Sequence, residues 1–373
     1  GWGQYDTERL TQWVKDLDPH RLVSNASGWV DHNVGDIIDK HSYPGPDFFP
    51  AEEDRASVLG EFGGLGLPIK GHLWQKSSWG YRNMADSLEF QRSYAQLWDK
   101  VWRMKEEIQP SAVVYTQVSD VEGEVNGLVT YDRNIIKLPI SYLQMVHSDA
   151  LISSPEIENE QQIFLDQLQL RVTNRKGEPI YYTLDGTDPT KASTLYSGPI
   201  TIKESLTFKA KSIGSGQESY VESRRFEKVS SYQKPAELED HPLKQGLEYS
   251  LFTGDWEELP DFNDLKAEST GVVQEIDLKS ITDKNSFLGV VLSGYLKIEK
   301  KGIYRFKLAS DDGSRLFLDE ELIIDHDGMH GMDIKNKDLA LEKGIYQLRL
   351  EYFQGEGERG LDLRLIDEHG NEL

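Results

Sequence analysis

The sequence predicts a multidomain chain: an α/β segment over residues 1–152, then two all-β segments over 153–233 and 234–373. Three observations carry this. Strand and helix patterns alternate in the first segment, which argues for a parallel sheet covered by helices. Past Ser153-Ser154-Pro155 the pattern changes to short alternating runs broken by turn residues. At 373 residues the chain has room for two or three domains of about 100–200 residues each.

The elements follow in order. Asp6 or Thr7 caps a first helix whose apolar residues Leu10, Trp13, Val14 and Leu17 have helical spacing, and Pro19 lies beyond it. Short strands are expected at 21–24, 37–41, 56–59 and 112–116. Residues 87–108 predict the strongest helix, with Phe90, Tyr94, Leu97, Trp98 and Val101 in one stripe and Pro110 closing it. Another helix is expected over 138–151. Four strands fit the second half of a (β/α)8 TIM barrel, whose full form needs eight strands and about 250 residues. A half barrel exposes two strand edges and an inner face, so it is not expected to be stable alone. The opening Gly1-Trp2-Gly3-Gln4 has no initiator Met and no signal peptide, as expected of a chain cut from something longer with its targeting signal upstream.

In the middle segment, strands are expected at 164–172, 180–184, 206–212 and 220–226. Asp185-Gly186, Asp188-Pro189 and Ser197-Gly198-Pro199 supply the turns, and the whole predicts a small β-sandwich. Residues 234–245 form a polar linker with two prolines. Beyond it, runs at 302–310, 315–318, 322–325, 344–353 and 361–366 predict antiparallel sheet.

Composition narrows the function. Against 41 basic residues stand 64 acidic ones, a formal charge of −23 that repels nucleic acid. The absence of cysteine excludes disulfides and thiolate metal sites. No apolar run approaches the roughly 18 residues of a membrane span.

The stretch Ala56-Ser-Val-Leu-Gly-Glu-Phe-Gly-Gly64 places one carboxylate, Glu61, at a strand end before a Gly-Gly turn. Barrel enzymes keep catalytic groups at such strand ends. Glu61 is either a nucleophile or base, or an acidic residue in a surface turn. His41 and Tyr43 end the preceding strand; they either reach a sugar hydroxyl and Glu61 or pack in a Pro-Gly turn. Asn25 and Trp29 carry the same two readings. Trp74, Trp79 and Tyr81 follow Glu61 in a long loop, as sugar-stacking platforms or packed aromatics. Asp120, Glu122 and Glu124 follow the last strand, most of them as solvated loop charges. Trp74 and Asp120 are the substrate-binding candidates from these loops. Asp325, His326, Asp327 and His330 match no tight metal motif. Asp311 and Asp312 in Ser310-Asp-Asp-Gly-Ser314 suit a hard cation or sugar hydroxyls, or an Asp-Gly hairpin turn.

Three resemblances converge. Gly1-Trp-Gly-Gln-Tyr-Asp6, His41-Ser-Tyr-Pro44, Val58-Leu-Gly-Glu-Phe-Gly-Gly64 and the run from Tyr115 to Gly127 together resemble the C-terminal half of a glycoside hydrolase family 2 barrel. The resemblance implies that Glu61 is the nucleophile and that Asn25, His41 and Tyr43 lie near the sugar. It also implies an acid/base Glu in an Asn-Glu-Gly-Trp motif, which would fall immediately before Gly1. The run from Tyr181 to Pro189, with Leu195–Pro199 and Thr207–Lys211, resembles the small C-terminal domain of chitobiases and β-hexosaminidases. Residues 302–330 resemble the protective-antigen-type β-sandwich appended to glycosidases and adhesins. In the adhesin branch an Asp-Asp pair helps hold Ca²⁺ and sugar, and Asp311 and Asp312 match that pair.

The expectation is a fragment of a retaining exo-β-glycosidase, a β-galactosidase by resemblance, acting on an oligo- or polysaccharide and needing no cofactor. Without its acid/base the fragment is expected to be inactive by itself. A secreted or periplasmic parent is expected, with which the absence of cysteine is compatible. Two other classes compete: a carbohydrate-binding or adhesive module working through the β segments, and accessory domains with a structural role.

Overall fold

The computed structural model describes residues 5–25, 28, 30–236, 243–357 and 359–372. It is mostly β-sheet with few helices. No helix among the described residues is long and apolar enough to cross a membrane.

Helix α1 (Thr7–Leu17) forms where the apolar spacing predicts it. Its stripe is uncovered: Leu10 and Val14 are exposed, Trp13 is 56% exposed and Leu17 69%. Strands β1 (Ile37–Ser42), β2 (Ala56–Gly63) and β3 (Ala112–Thr116) make a parallel sheet in that order. The strand expected at 21–24 is reduced to a single parallel bridge from Ser24 to Ile37. Side chains occupy the groups a ladder would use: the Asp36 carboxylate accepts Val23 N–H at 2.8 Å, and the Asn25 amide donates to the Val34 carbonyl.

Helix α2 (Ser87–Glu107) starts at Asp86, whose carboxylate accepts the N–H groups of Leu88 and Glu89 at 2.9 and 2.8 Å. Its buried face of Phe90, Tyr94, Leu97 and Val101 packs with Leu59 and Phe62 of β2. Helix α3 (Ile140–His147) is shorter than the sequence suggests and meets α2 through Tyr94 Oη, 2.7 Å from His147 Nε2. The described residues thus form an open three-stranded sheet in place of the four strands expected, and Val114 of β3 remains 52% exposed.

The middle segment has its own core of Phe164, Leu170, Phe208 and Phe226. Strands β4 (Ile180–Thr183), β5 (Leu206–Gly214) and β6 (Glu222–Lys228) carry its main sheet. The single strand expected at 164–172 is instead Ile163–Phe164, Leu168–Leu170 and Val172–Thr173. Each piece pairs with a different partner, which a continuous run could not do.

The last segment is two antiparallel sheets. One has the order β8-β7-β9-β14-β11-β12, from β7 (Leu247–Thr253), β8 (Ser269–Val273), β9 (Leu288–Ile298), β11 (Ser314–Leu318), β12 (Glu321–His326) and β14 (Gly344–Gln354). The other is β13-β10-β15, from β10 (Gly302–Asp311), β13 (Asp333–Leu341) and β15 (Gly360–Asp367). The core lies between them and draws Val290, Leu292, Phe306, Leu316, Leu350 and Tyr352 from both sheets.

Charged side chains tie the segments together. Arg175, 5% exposed at its side chain, pairs with Asp99 of α2 at 3.2 Å and with Asp149. Arg305 of β10 pairs with Glu160 at 2.8 Å and Asp338 at 2.7 Å. At the start of the linker, Gln233 N–H donates to Ala340 and its carbonyl accepts from Glu342, at 2.7 and 2.9 Å.

Candidate active site

Glu61 lies at the carboxyl end of β2, beside His41 at the end of β1 in the sheet register. The register shifts at this point in both strand pairs. Asp39 is the local cause: its carboxylate accepts Gly60 N–H at 2.8 Å, and a Cβ at Gly60 would come within 2.2 Å of that carboxylate. Only glycine tolerates this approach.

Two side chains converge on one Glu61 oxygen. Tyr43 Oη donates to Oε2, and His41 Nδ1 lies 3.1 Å from the same atom. His41 Nε2 is 3.5 Å from Asp39, so the imidazole stands between two carboxylates. Thr116 Oγ1 at the end of β3 lies 3.2 Å from Tyr43 Oη. Burial, then the bond to Glu61, pushes the Tyr43 phenol far above its ordinary value. Tyr43 therefore stays protonated and remains a hydrogen-bond donor to Glu61. Glu61 keeps 42% of its side chain exposed, so an incoming group can reach it.

The Gly63-Gly64 pair makes room for aromatic rings. Gly64 has φ +62, and a Cβ there would sit 2.6 Å from Tyr81 and 2.9 Å from Tyr43. Those two rings stack at 3.7 Å with 3° between their planes. Trp79 meets Tyr81 edge-on at 5.4 Å. Glu124 bonds Asn126 Nδ2 at 2.8 Å. Burial holds the Glu124 carboxyl above its ordinary range, with the charges of Glu61 and Asp120 adding to it.

Of the candidates, the structure brings Glu61, His41 and Tyr43 together. Tyr81 and Trp79 adjoin them through the Tyr43 ring, while Asn25, Trp74 and Asp120 make contacts elsewhere. Asn25 braces its own loop through the Val34 carbonyl. Trp74 is 60% exposed and its ring partner is Tyr131, at 5.7 Å. Asp120 is a correction: it is a buried tie, not a surface group facing a ligand. Its Oδ1 accepts Lys137 Nζ and Gly127 N–H, both at 2.7 Å, with the Lys137 side chain 0% exposed. Trp29 and the opening Gly1-Trp2-Gly3-Gln4 lie outside the described residues. Asp39 and Thr116 belong to the site although no motif marks them, and Glu124 comes from the acidic loop after the last strand. Asp39 was accessible to sequence reasoning, since it lies two residues before His41 on one strand and so on the same face.

Asp311 ends β10 and Asp312 follows it. Asp312 Oδ1 accepts His330 N–H at 3.0 Å; its Oδ2 accepts Gly355 N–H at 2.9 Å and Gln354 Nε2 at 3.2 Å. Both oxygens thus pin the loops after β12 and β14. Among the described residues, no group of three His, Asp or Glu side chains could hold a metal ion. A cavity of about 920 Å³ lies between α2 and the two β segments, lined by charged residues such as Lys100, Arg224 and Lys337; Glu61 is not part of it.

Residues 243–372 match the PA14 domain family, and residues 159–223 match the chitobiase/beta-hexosaminidase C-terminal domain family. A curated relative, the Beta-hexosaminidase of Porphyromonas gingivalis (strain ATCC BAA-308 / W83), is 27% identical over 198 residues, covering 50% of this chain and 24% of the relative. The chain therefore spans about a quarter of that relative's length. Among solved structures, the PA14 domain of the MpAFP antifreeze protein is 18% identical, covering 37% of this chain and 92% of its own, with a TM-score of 0.31. The beta-glucosidase of Kluyveromyces marxianus in complex with glucose is 25% identical, covering 33% of this chain and 15% of its own, with a TM-score of 0.26. Scores of this size fix neither fold nor function.

Proposed function

We propose that this chain belongs to a retaining β-glycosidase in which Glu61 is the nucleophile. The observation that carries the reading is the Glu61 carboxylate at the end of a parallel strand, received by Tyr43 and flanked by His41. The Tyr43 phenol, held protonated by burial, orients that carboxylate by its hydrogen bond for attack on an anomeric carbon. The relative named Beta-hexosaminidase and the matched chitobiase/beta-hexosaminidase C-terminal domain support a glycoside hydrolase parent.

Attack by Glu61 forms a glycosyl–enzyme ester as the leaving oxygen takes a proton from a second carboxylic acid. Water then cleaves the ester with that group acting as base, the two carboxyls standing about 5–5.5 Å apart. We assign the second carboxyl to a segment upstream, one that completes a barrel over the open sheet. The uncovered stripe of α1 and the exposed Val114 favour such a cover. Residues 1–152, 153–233 and 234–373 are then half barrel, small β-sandwich and terminal β-sandwich, in a protein exported from the cytoplasm to meet its glycan. Within the class, the family 2 resemblance points to a terminal β-galactoside.

The test is trapping. A 2-deoxy-2-fluoro β-glycoside given to the full-length protein leaves its sugar on the peptide containing Glu61. A labelled peptide lacking Glu61 sinks the assignment, as does wild-type turnover in Glu61→Gln. The 373-residue chain by itself is expected to give no hydrolysis.

A further inference from the structure

Strand β2 breaks its alternation at Gly60. Leu59 and Phe62, three residues apart, are both 0% exposed and pack in one core with α2. Side chains of a regular strand change faces at every residue, so Leu59 and Glu61 would share the core face and Phe62 would leave it. One extra residue restores Phe62 to the core and turns Glu61 out of it. The register contains that residue: Lys40 pairs with Leu59 and His41 with Glu61, so Gly60 is passed over on the β1 side. On the β3 side Leu59 pairs with Val113 and Phe62 with Tyr115, again with two residues of β2 against one. A bulge of this kind re-aims a side chain.

A bulged residue loses its ladder partner, and Asp39 supplies one. Its Oδ1 accepts Gly60 N–H at 2.8 Å. Its Oδ2 lies 3.5 Å from His41 Nε2, and the other ring nitrogen, Nδ1, lies 3.1 Å from Glu61 Oε2. The side chains of Asp39 and His41 are 11% and 7% exposed, so both contacts stand largely out of water. Two residues apart on β1, Asp39 and His41 share a face. One carboxylate therefore touches both supports of Glu61, the peptide before it and the imidazole beside it.

On the reading of Glu61 as nucleophile, we propose that Asp39 is a positioning residue for the reaction: one oxygen holds the bulge that aims Glu61 into the site, and the other holds the His41 ring against it. Asp39 acts through Glu61 and His41 rather than on the sugar. An attacking oxygen must meet the anomeric carbon in line at about 3–3.5 Å, and a misplacement of about 1 Å costs about 100-fold in rate. Gly60 belongs to the same device. A Cβ there would lie 2.2 Å from Asp39 Oδ1 and would push the carboxylate off the bulge.

The experiment measures kcat and KM of the full-length protein on whichever of para-nitrophenyl β-galactoside, β-glucoside and β-glucuronide turns over fastest. Active sites are counted with the 2-deoxy-2-fluoro glycoside of the same sugar. Asp39→Ala removes both contacts; it should lower kcat per active site by about 100-fold and change KM by less than about threefold. Asp39→Asn keeps an oxygen for Gly60 N–H but not the charge facing His41, so its kcat should fall between the two. A role in folding alone would lower the number of active sites and leave kcat per site at the wild-type value, which overturns the proposal. If Asp39→Ala does not fold, Asp39→Asn carries the test, and wild-type kcat in it overturns the proposal as well. Glu61→Gln separates the two readings. If it abolishes turnover while both Asp39 variants match the wild type, the nucleophile stands and the Asp39 assignment alone is lost; if it turns over like the wild type, the nucleophile reading falls.

Discussion

Replacing Asp120 by Asn should unfold the loop that follows β3, because it strands a buried cation. Lys137 Nζ contacts Asp120 Oδ1 at 2.7 Å and the Val125 carbonyl at 2.8 Å, with 0% and 2% of the Lys137 and Asp120 side chains exposed. Burial already lowers the Lys137 ammonium below its ordinary 10.5, against the pull of Asp120. In Asp120→Asn the lysine must either stay charged without its counterion or give up its proton. Removing one member of a buried pair costs about 3–5 kcal/mol. Neutralising a lysine of ordinary pKa at pH 7 costs about 5 kcal/mol, which caps the loss at the same level. The expected destabilisation is thus about 3 kcal/mol or more at neutral pH. Urea unfolding followed by tryptophan fluorescence measures it. The sign of the pH dependence is determined: the unfolded lysine holds its proton to higher pH than the folded one. Stability of the variant therefore rises with pH between the two values, and its deficit shrinks toward about pH 10. Asp120→Asn with Lys137→Met should recover most of the loss, since no charge is then buried. A loss below about 1 kcal/mol in the single variant would refute the reasoning and return Asp120 to the surface.

Three other outcomes are expected. Gly64→Ala adds a Cβ 2.6 Å from Tyr81 at φ +62, so it should separate the Tyr43–Tyr81 stack, cost about 1–3 kcal/mol and abolish turnover of the full-length protein; wild-type kinetics would refute this. Burial raises the phenols of Tyr43, Tyr94, Tyr115, Tyr142 and Tyr352 well above 10.0. The unfolded chain then loses protons that the folded chain keeps, and the urea midpoint should fall as pH rises above about 10; a flat profile refutes it. Burial, then Asp312, pushes Asp311 up to about 6 from 3.8, so its contribution is favourable below 3.8 and is lost as pH rises toward 6. Asp311→Asn should therefore stabilise the protein at pH 7, by about 1 kcal/mol once solvent screening is allowed for, and a lower melting temperature would refute it.

Much of the local structure was legible in the chain. Helical spacing in Ser87–Glu107, with Asp86 before it, specifies α2, because a 3.6-residue period leaves one face to bury. The β-prone run into Glu61-Phe62-Gly63-Gly64 specifies a strand end with a carboxylate at it. Other features were not legible. Residues 333–341 are mostly polar, yet they form β13 because the backbone of β10 offers them a complete ladder. Residues 21–24 have strand character, but Asp36 and Asn25 satisfy that neighbourhood with side chains.

Strand-end spacing by itself made Glu61, His41 and Tyr43 candidates for one site and left a turn as the other reading of each. Sequence spacing cannot tell which charges past a strand turn inward, since a loop has no period. Only the tertiary structure decided that Asp120 is buried against Lys137 while Glu124, four residues later, is half-buried and bonded to Asn126. The physical reason is that burial, not sequence position, sets whether a carboxylate is a structural anchor or a group available to a ligand.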